Sequence, residues 1–180
     1  YRKAVDLAHR LHGDHSLAAF TPQIRLADAL HSADSDDAAV GVLAQARDTL
    51  DFNHDDDAYR RAQLADQFGQ YYATRDLPKA LDYARTSVEL YDRAHATFDL
   101  GFALSRKARA EHQSGLDNDA IASYERAIDV SRAADGAANP DLVRYYAELG
   151  EVRYFHLDIA GGEGDARAAP QLAKTIHGEN

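Results

Sequence analysis

The chain has 180 residues, 45% hydrophobic and 28% charged, enough for one globular or repeat domain with a continuous core. Its formal net charge of −10 argues against a nucleic-acid binder, because phosphate contacts need a basic stripe and none is visible. Cysteine is absent, which excludes disulfides, thiolate metal sites and cysteine nucleophiles, and neither an apolar run of about 18 residues nor a charged-then-apolar leader is present, so a soluble, cytoplasmic chain without membrane contact is expected.

Tyr1 to His12 reads as the second helix of a hairpin whose first helix lies outside the sequence, leaving an apolar edge open to self-association. The chain therefore begins in mid-pattern, and with no Met it is expected to be an internal fragment of a longer protein. Gly13, Asp14 and His15 end that helix and lead into Ser16. The next first helix is predicted to start at Thr21-Pro22, an N-cap followed by the residue best suited to the first helical position, and to carry Ile24, Leu26, Ala27 and Leu30. Asp34 to Asp37 make a turn, after which Ala39, Leu43 and Ala46 face inward; Phe52 to Asp57 form a polar connection.

A third hairpin runs from about Ala58 through Leu64, Phe68, Tyr71 and Tyr72 to a turn at Arg75-Asp76, and returns through Pro78, Ala80, Leu81, Ala84, Val88 and Leu90. In the fourth, Leu104 and Ala108 share one face, Gly115 stands at the reversal, and Ala120, Tyr124 and Ala127 recur at helical spacing. Gly136 to Pro140 is a loop, followed by a helix carrying Leu149-Gly150. From Gly161 the run GGEGDARAAP interrupts the expected second helix, and a distorted last repeat or the start of a cap is predicted.

Two markers give one period. The inner residues Ala4, Ala46, Ser87 and Ala127 lie 42, 41 and 40 apart, and the small residues Ala27, Phe68 or Gly69, Ala108 and Gly150 repeat at nearly the same interval. A small residue, a turn Gly, Ala, an aromatic and Ala in that order resemble the tetratricopeptide repeat, with a period longer than its basic unit of about 34 residues. The junction YRKAVDLAHRLHGDHSLAA resembles the kinesin-light-chain variety of that repeat, where a helix runs into a Gly-x-Asp-His-Pro turn; here Ser16 replaces the Pro. The resemblance implies an all-α fold, a right-handed α-solenoid of antiparallel helix hairpins, in a single domain 1–180 with repeats at 1–15 (partial), 16–55, 56–95, 96–136 and 137–180 (distorted at its end).

Candidate chemistry is sparse. His9, His12 and His15 have three-residue spacing, but Gly13 ends the helix before His15, and they read as solvated or capping residues. The acidic cluster Asp55, Asp56 and Asp57 beside His54 precedes a helix and reads as N-terminal capping. Asp34, Asp36 and Asp37 lack the Gly and terminal Glu of a calcium loop, and Gly161-Gly162-Glu163-Gly164-Asp165 misses the Gly-Gly-x-Gly-x-Asp calcium repeat by one position. No phosphate loop or nucleophile elbow is present. No catalytic residue, cofactor or metal is expected.

What remains is a surface. In tetratricopeptide arrays the first helices line a concave groove, and the resemblance implies that residues unused by packing meet a protein or peptide partner there. Projecting the period gives Ile24, Asp28 and His31; Tyr72 with Ala65 or Asp66; Phe102, Ser105, Arg109 and His112; and Arg144, Ala147, Glu151 and Tyr154. Aromatics with two arginines suit a peptide held by ring contact and charge-assisted hydrogen bonds. The expected function is a non-catalytic interaction scaffold, the recognition segment of a larger signalling or regulatory protein; a structural or self-associating spacer is the alternative.

Overall fold

Small residues at fixed intervals let helix backbones approach, and the chain folds on that rule throughout. The computed structural model describes residues 1–136 and 139–177. Among the described residues there are nine α-helices, one 3-10 turn and no strand: α1 (Arg2–His12), α2 (Phe20–His31), α3 (Asp36–Phe52), α4 (Ala58–Tyr72), α5 (Leu77–Arg93), α6 (Thr97–Gln113), α7 (Asp117–Asp135), α8 (Asp141–Phe155) and α9 (Ile159–His177). They fall into two compact units, Tyr1–Leu90 and Tyr91–Asn180.

In the first unit α2 packs on α3 and α4 around Phe20, Ile24, Ala27, Leu43, Ala46, Leu50, Leu64 and Phe68, with Tyr72 and Tyr83 against its edge. In the second, α6 pairs with α7 and α8 with α9, and α7 also packs on α8. Ala46, Ala120 and Ala127 are fully buried, as their place between close backbones requires, and Tyr124 and Tyr145 fill the larger spaces.

Several expectations shift by a residue or a turn. In α1 Val5 and Ala8 are buried while Ala4 is exposed; Val5, Ala46, Ser87 and Ala127 are the equivalent set, 41, 41 and 40 apart. Gly69 takes the small position beside buried Phe68: a Cβ there would meet Ala80 O and Ala84 N, both at 3.6 Å, on the returning helix. α2 starts at Phe20, before Thr21-Pro22, because Ser16 caps a preceding 3-10 turn (Leu17–Ala19) by accepting from Ala18 N and feeds the helix directly. Asp57 caps α4 by accepting from Arg60 N at 2.9 Å, while Asp55 accepts from Arg60 Nε at 2.9 Å.

The largest difference is α9, which runs unbroken through the Gly run and Pro170 where a distorted end is expected. Gly150 on α8 and Gly162 on α9 face each other so closely that a Cβ on Gly162 would stand 2.9 Å from Gly150 O and 3.1 Å from Tyr154 N. The Gly that weakens the helix locally is what this crossing needs. Pro170 removes one backbone donor, but both Pro170 and Ala166 are exposed, so water reaches the freed carbonyl. Of the expected loop Gly136–Pro140, Ala137 and Ala138 lie outside the described residues, as does Gly178.

The turns carry a second record of the period. Gly13, His54, His95 and Gly136 all adopt positive φ (88°, 49°, 54° and 79°) and lie 41 residues apart, each ending a second helix. Asp34, Gly115 and Leu157 do the same within hairpins, at φ 53°, 75° and 65°.

Candidate functional site

In the second unit the first helices α6 and α8 lie side by side, and their shared face is the best-defined candidate surface. Phe102 meets Phe98 edge-on at 5.1 Å and Tyr145 at 6.5 Å, and the Arg144 guanidinium stands over the Phe102 and Tyr145 rings at 5.6 and 5.1 Å. One turn further, Arg109 donates to Glu148 at 2.5 Å across the two helices. His112 Nδ1 lies 2.7 Å from Asp117 Oδ1, and its ring is 6.0 Å from Phe155. Glu151 and Tyr154 are exposed on the same side of α8, Tyr154 by 62%.

Two of the expected contact residues are in the core instead. Ser105 is buried and its hydroxyl donates to the Phe102 carbonyl at 3.0 Å; Ile24 is buried among Phe20, Ala27 and Leu43 in the first unit. Of the alternatives paired with Tyr72, Ala65 and Asp66 are both buried. Tyr72 itself is half-buried, stacked on Tyr83 at 5.7 Å beneath Lys79. Asp28 and His31 are also half-buried. His31 Nδ1 lies 2.7 Å from Asp36 Oδ1, and Arg75 binds the other Asp36 oxygen. That hydrogen bond from His31, against opposing desolvation and with the help of Arg75, holds the Asp36 carboxyl below its usual range.

The sequence reading missed Asp36, Asp117 and Glu148. Glu148 changes the meaning of Arg109, whose guanidinium is committed to a carboxylate and does not project free. Burial, then the Glu148 charge, also pushes the Tyr124 phenol up, which ties Tyr124, Arg109 and Glu148 into one cluster. Arg75 and Arg109 each reach a carboxylate 39 residues away, but Asp36 precedes its partner and Glu148 follows, so no single offset announces the pairs. Arg109→Ala is thus expected to cost about 1 kcal/mol of stability, since it strands a partly buried carboxylate. Arg144→Ala, whose pair with Asp141 is long at 3.7 Å and exposed, should cost less than about half as much. Urea denaturation of both variants measures the difference, and equal midpoints would contradict the assignment.

A buried polar cluster lies between α6 and α7. Lys107 Nζ is 2.8 Å from Glu111 Oε1 and donates to Ser123 Oγ at 2.9 Å, while Ser123 Oγ donates to Glu111 Oε2 at 2.7 Å. A half-open cavity of about 210 Å³ beside it is lined by Leu104, Asp119, Ala122 and Arg126 as well. Glu111 is only 2% exposed, and both of its carboxylate oxygens are engaged, one by Lys107 and the other by Ser123. The three side chains thus form one closed hydrogen-bonded ring. Among the described residues no three His, Asp or Glu side chains gather as a metal site would need, and no helix is long and apolar enough to cross a membrane.

No protein-family model matches the chain, and no curated protein matches it. Solved structures do. BtubC (BKLC) from P. vanneervenii superposes at a TM-score of 0.85 and 17% identity, over 98% of this chain and 72% of that one. The nearly identical tetratricopeptide-like repeats of a putative kinesin light chain from Podosopora anserina give 0.78 and 13%, over 98% and 84%. The signal transduction ATPase with numerous domains from Pyrococcus horikoshii, with its tetratricopeptide repeat sensor, gives 0.73 and 16%, over 89% of this chain and 24% of its own. Hairpin order, the 40-to-42-residue period and these superpositions agree: the chain has the tetratricopeptide-like α-solenoid fold, in its kinesin-light-chain-like form.

Proposed function

We propose that the chain is a non-catalytic scaffold for protein–protein interaction, and that an extended or helical peptide lies along the shared face of α6 and α8. The observation that carries this reading is the row Arg144, Glu151 and Tyr154 on α8, exposed and unused by the core, beside the half-buried Phe102 ring. Arg144 supplies charge-assisted hydrogen bonds to an acidic group, and Tyr154 supplies aromatic area. Arg109 and His112, both held by carboxylates, shape the floor between them. The Pyrococcus protein, whose repeats are described as a sensor, is consistent with a recognition segment inside a larger signalling protein. A self-associating role stays beside this reading because Leu7 and Leu11 on α1 are 49% and 66% exposed.

Peptides selected from a random display library against the chain test the groove. The double change Arg144→Ala, Tyr154→Ala should weaken the selected peptides by about ten- to a hundredfold, as loss of one charged contact and one aromatic anchor predicts. Unchanged affinity would place binding on another face.

A further inference from the structure

Two exposed apolar patches stand at positions that the other repeats fill mostly with polar residues. On α1, Leu7 is equivalent to Asp48 and Glu89, which follow at intervals of 41 residues on α3 and α5 and are exposed there. Leu7 is 49% exposed and Leu11, one turn on, 66%. Packing within a hairpin does not account for them, because the equivalents of Leu7 (Asp48 and Glu89) and of Leu11 (Phe52 and Arg93) also face solvent in complete hairpins.

The second patch is the turn joining α8 to α9. Phe155, Leu157 and Ile159 are 62%, 83% and 52% exposed. Their equivalents in the preceding hairpin are Gln113, Gly115 and Asp117, and in the α2–α3 hairpin Ser32, Asp34 and Asp36. Leu157 also keeps the left-handed backbone of its equivalents, φ 65° against 75° at Gly115 and 53° at Asp34. An exposed Leu in that conformation incurs both strain and solvation cost, which is the mark of a residue retained for something outside the chain.

The patches differ in charge. α1 carries Arg2, Lys3 and Arg10 against one carboxylate, Asp6, in a chain of net charge −10. The α8–α9 turn is flanked by Glu151, Asp158 and Asp117, with His112 and His156 beside Asp117. A strong cation on α8, Arg153, is 19% exposed and already held by Glu125, Asp158 and Asp165. A basic helix with a leucine stripe and an acidic-rimmed apolar turn are complementary in both respects.

We propose that the α8–α9 turn of one copy of this chain receives α1 of a second copy, with Leu7 and Leu11 packing on Phe155, Leu157 and Ile159. Because the two surfaces are different, the contact is heterologous and joins copies head to tail. It uses neither Arg144 nor Tyr154, and although Glu151 and His112 border both surfaces, the two readings are tested by different variants, so either can fail without the other.

Sedimentation equilibrium from about 1 to 100 μM measures it, a range in which weak, specific contacts register. The average mass should rise with concentration and fall as salt is added. Leu7→Glu and Leu157→Gly each install a residue that an equivalent position already carries, Glu89 and Gly115, so both variants should keep the helical circular dichroism of the parent. Each alone should weaken association by about tenfold or more, as loss of a central apolar anchor does. Mixed together, the two variants should form a one-to-one pair that grows no further, since one retains an intact turn and the other an intact α1. A parent that stays monomeric throughout, association that survives either change, or a mixture that stays monomeric would each overturn the proposal.

Discussion

Gly162→Ala is expected to destabilise the α8–α9 hairpin by about 1–3 kcal/mol, although Ala is the better helix former by about 1 kcal/mol. The reason is space: the added Cβ would meet Gly150 O at 2.9 Å and Tyr154 N at 3.1 Å, both backbone atoms that move only if the helices separate. Two positions along the same helix, Gly164 has nothing within 4 Å of an added Cβ. Gly164→Ala should therefore stabilise by about the propensity difference, 1 kcal/mol. Opposite signs from the same substitution in one helix, read from urea midpoints, identify the close crossing as the cause. If Gly162→Ala also stabilises, the two backbones are not in contact.

The second large effect lies at the buried cluster between α6 and α7. Lys107→Ala leaves the Glu111 carboxylate, 2% exposed, with only the Ser123 hydroxyl at 2.7 Å. Breaking a buried pair from one side costs about 3–5 kcal/mol; Lys107 is 22% exposed, so water reaches part of the site and about 2–4 kcal/mol is expected. Replacing both partners, Lys107→Met with Glu111→Leu, should recover most of that loss, because neither charge then needs a partner. A double variant no more stable than Lys107→Ala would show that the pair contributes more than mutual neutralisation.

The repeat was legible in the sequence because its markers are steric. Ala46, Ala120 and Ala127 are fully buried where close helices favour small residues, so the interval survives in the letters. The register of α1 was not legible to one residue, since Ala4 and Val5 are both suitable there and only contact decides between them. Helix α9 defeated a propensity argument: Gly161, Gly162 and Pro170 all disfavour a helix locally, yet the crossing with Gly150 requires Gly162 to lack a side chain. At the turns, His54 and His95 hold the left-handed conformation that Gly13 and Gly136 hold, and nothing in the identity of a histidine announces that. In the candidate site the exposed row Arg144, Glu151 and Tyr154 followed from helical spacing. The burial of Ile24 and Ser105, and the engagement of Arg109 by Glu148, depend on a neighbouring helix 39 residues or fewer away and lie beyond a one-helix projection.

Backbone amide chemical-shift mapping, with a display-selected peptide titrated into the labelled chain, tests the central claim that the first-helix face is the recognition surface. The account predicts that the shifts concentrate on α8 at Arg144, Ala147, Glu151 and Tyr154 and on α6 around Phe102 and Arg109. Shifts confined to the exposed positions of α7 and α9, Glu125, Asp129, Glu163 and Arg167 among them, with α6 and α8 unmoved, would contradict it.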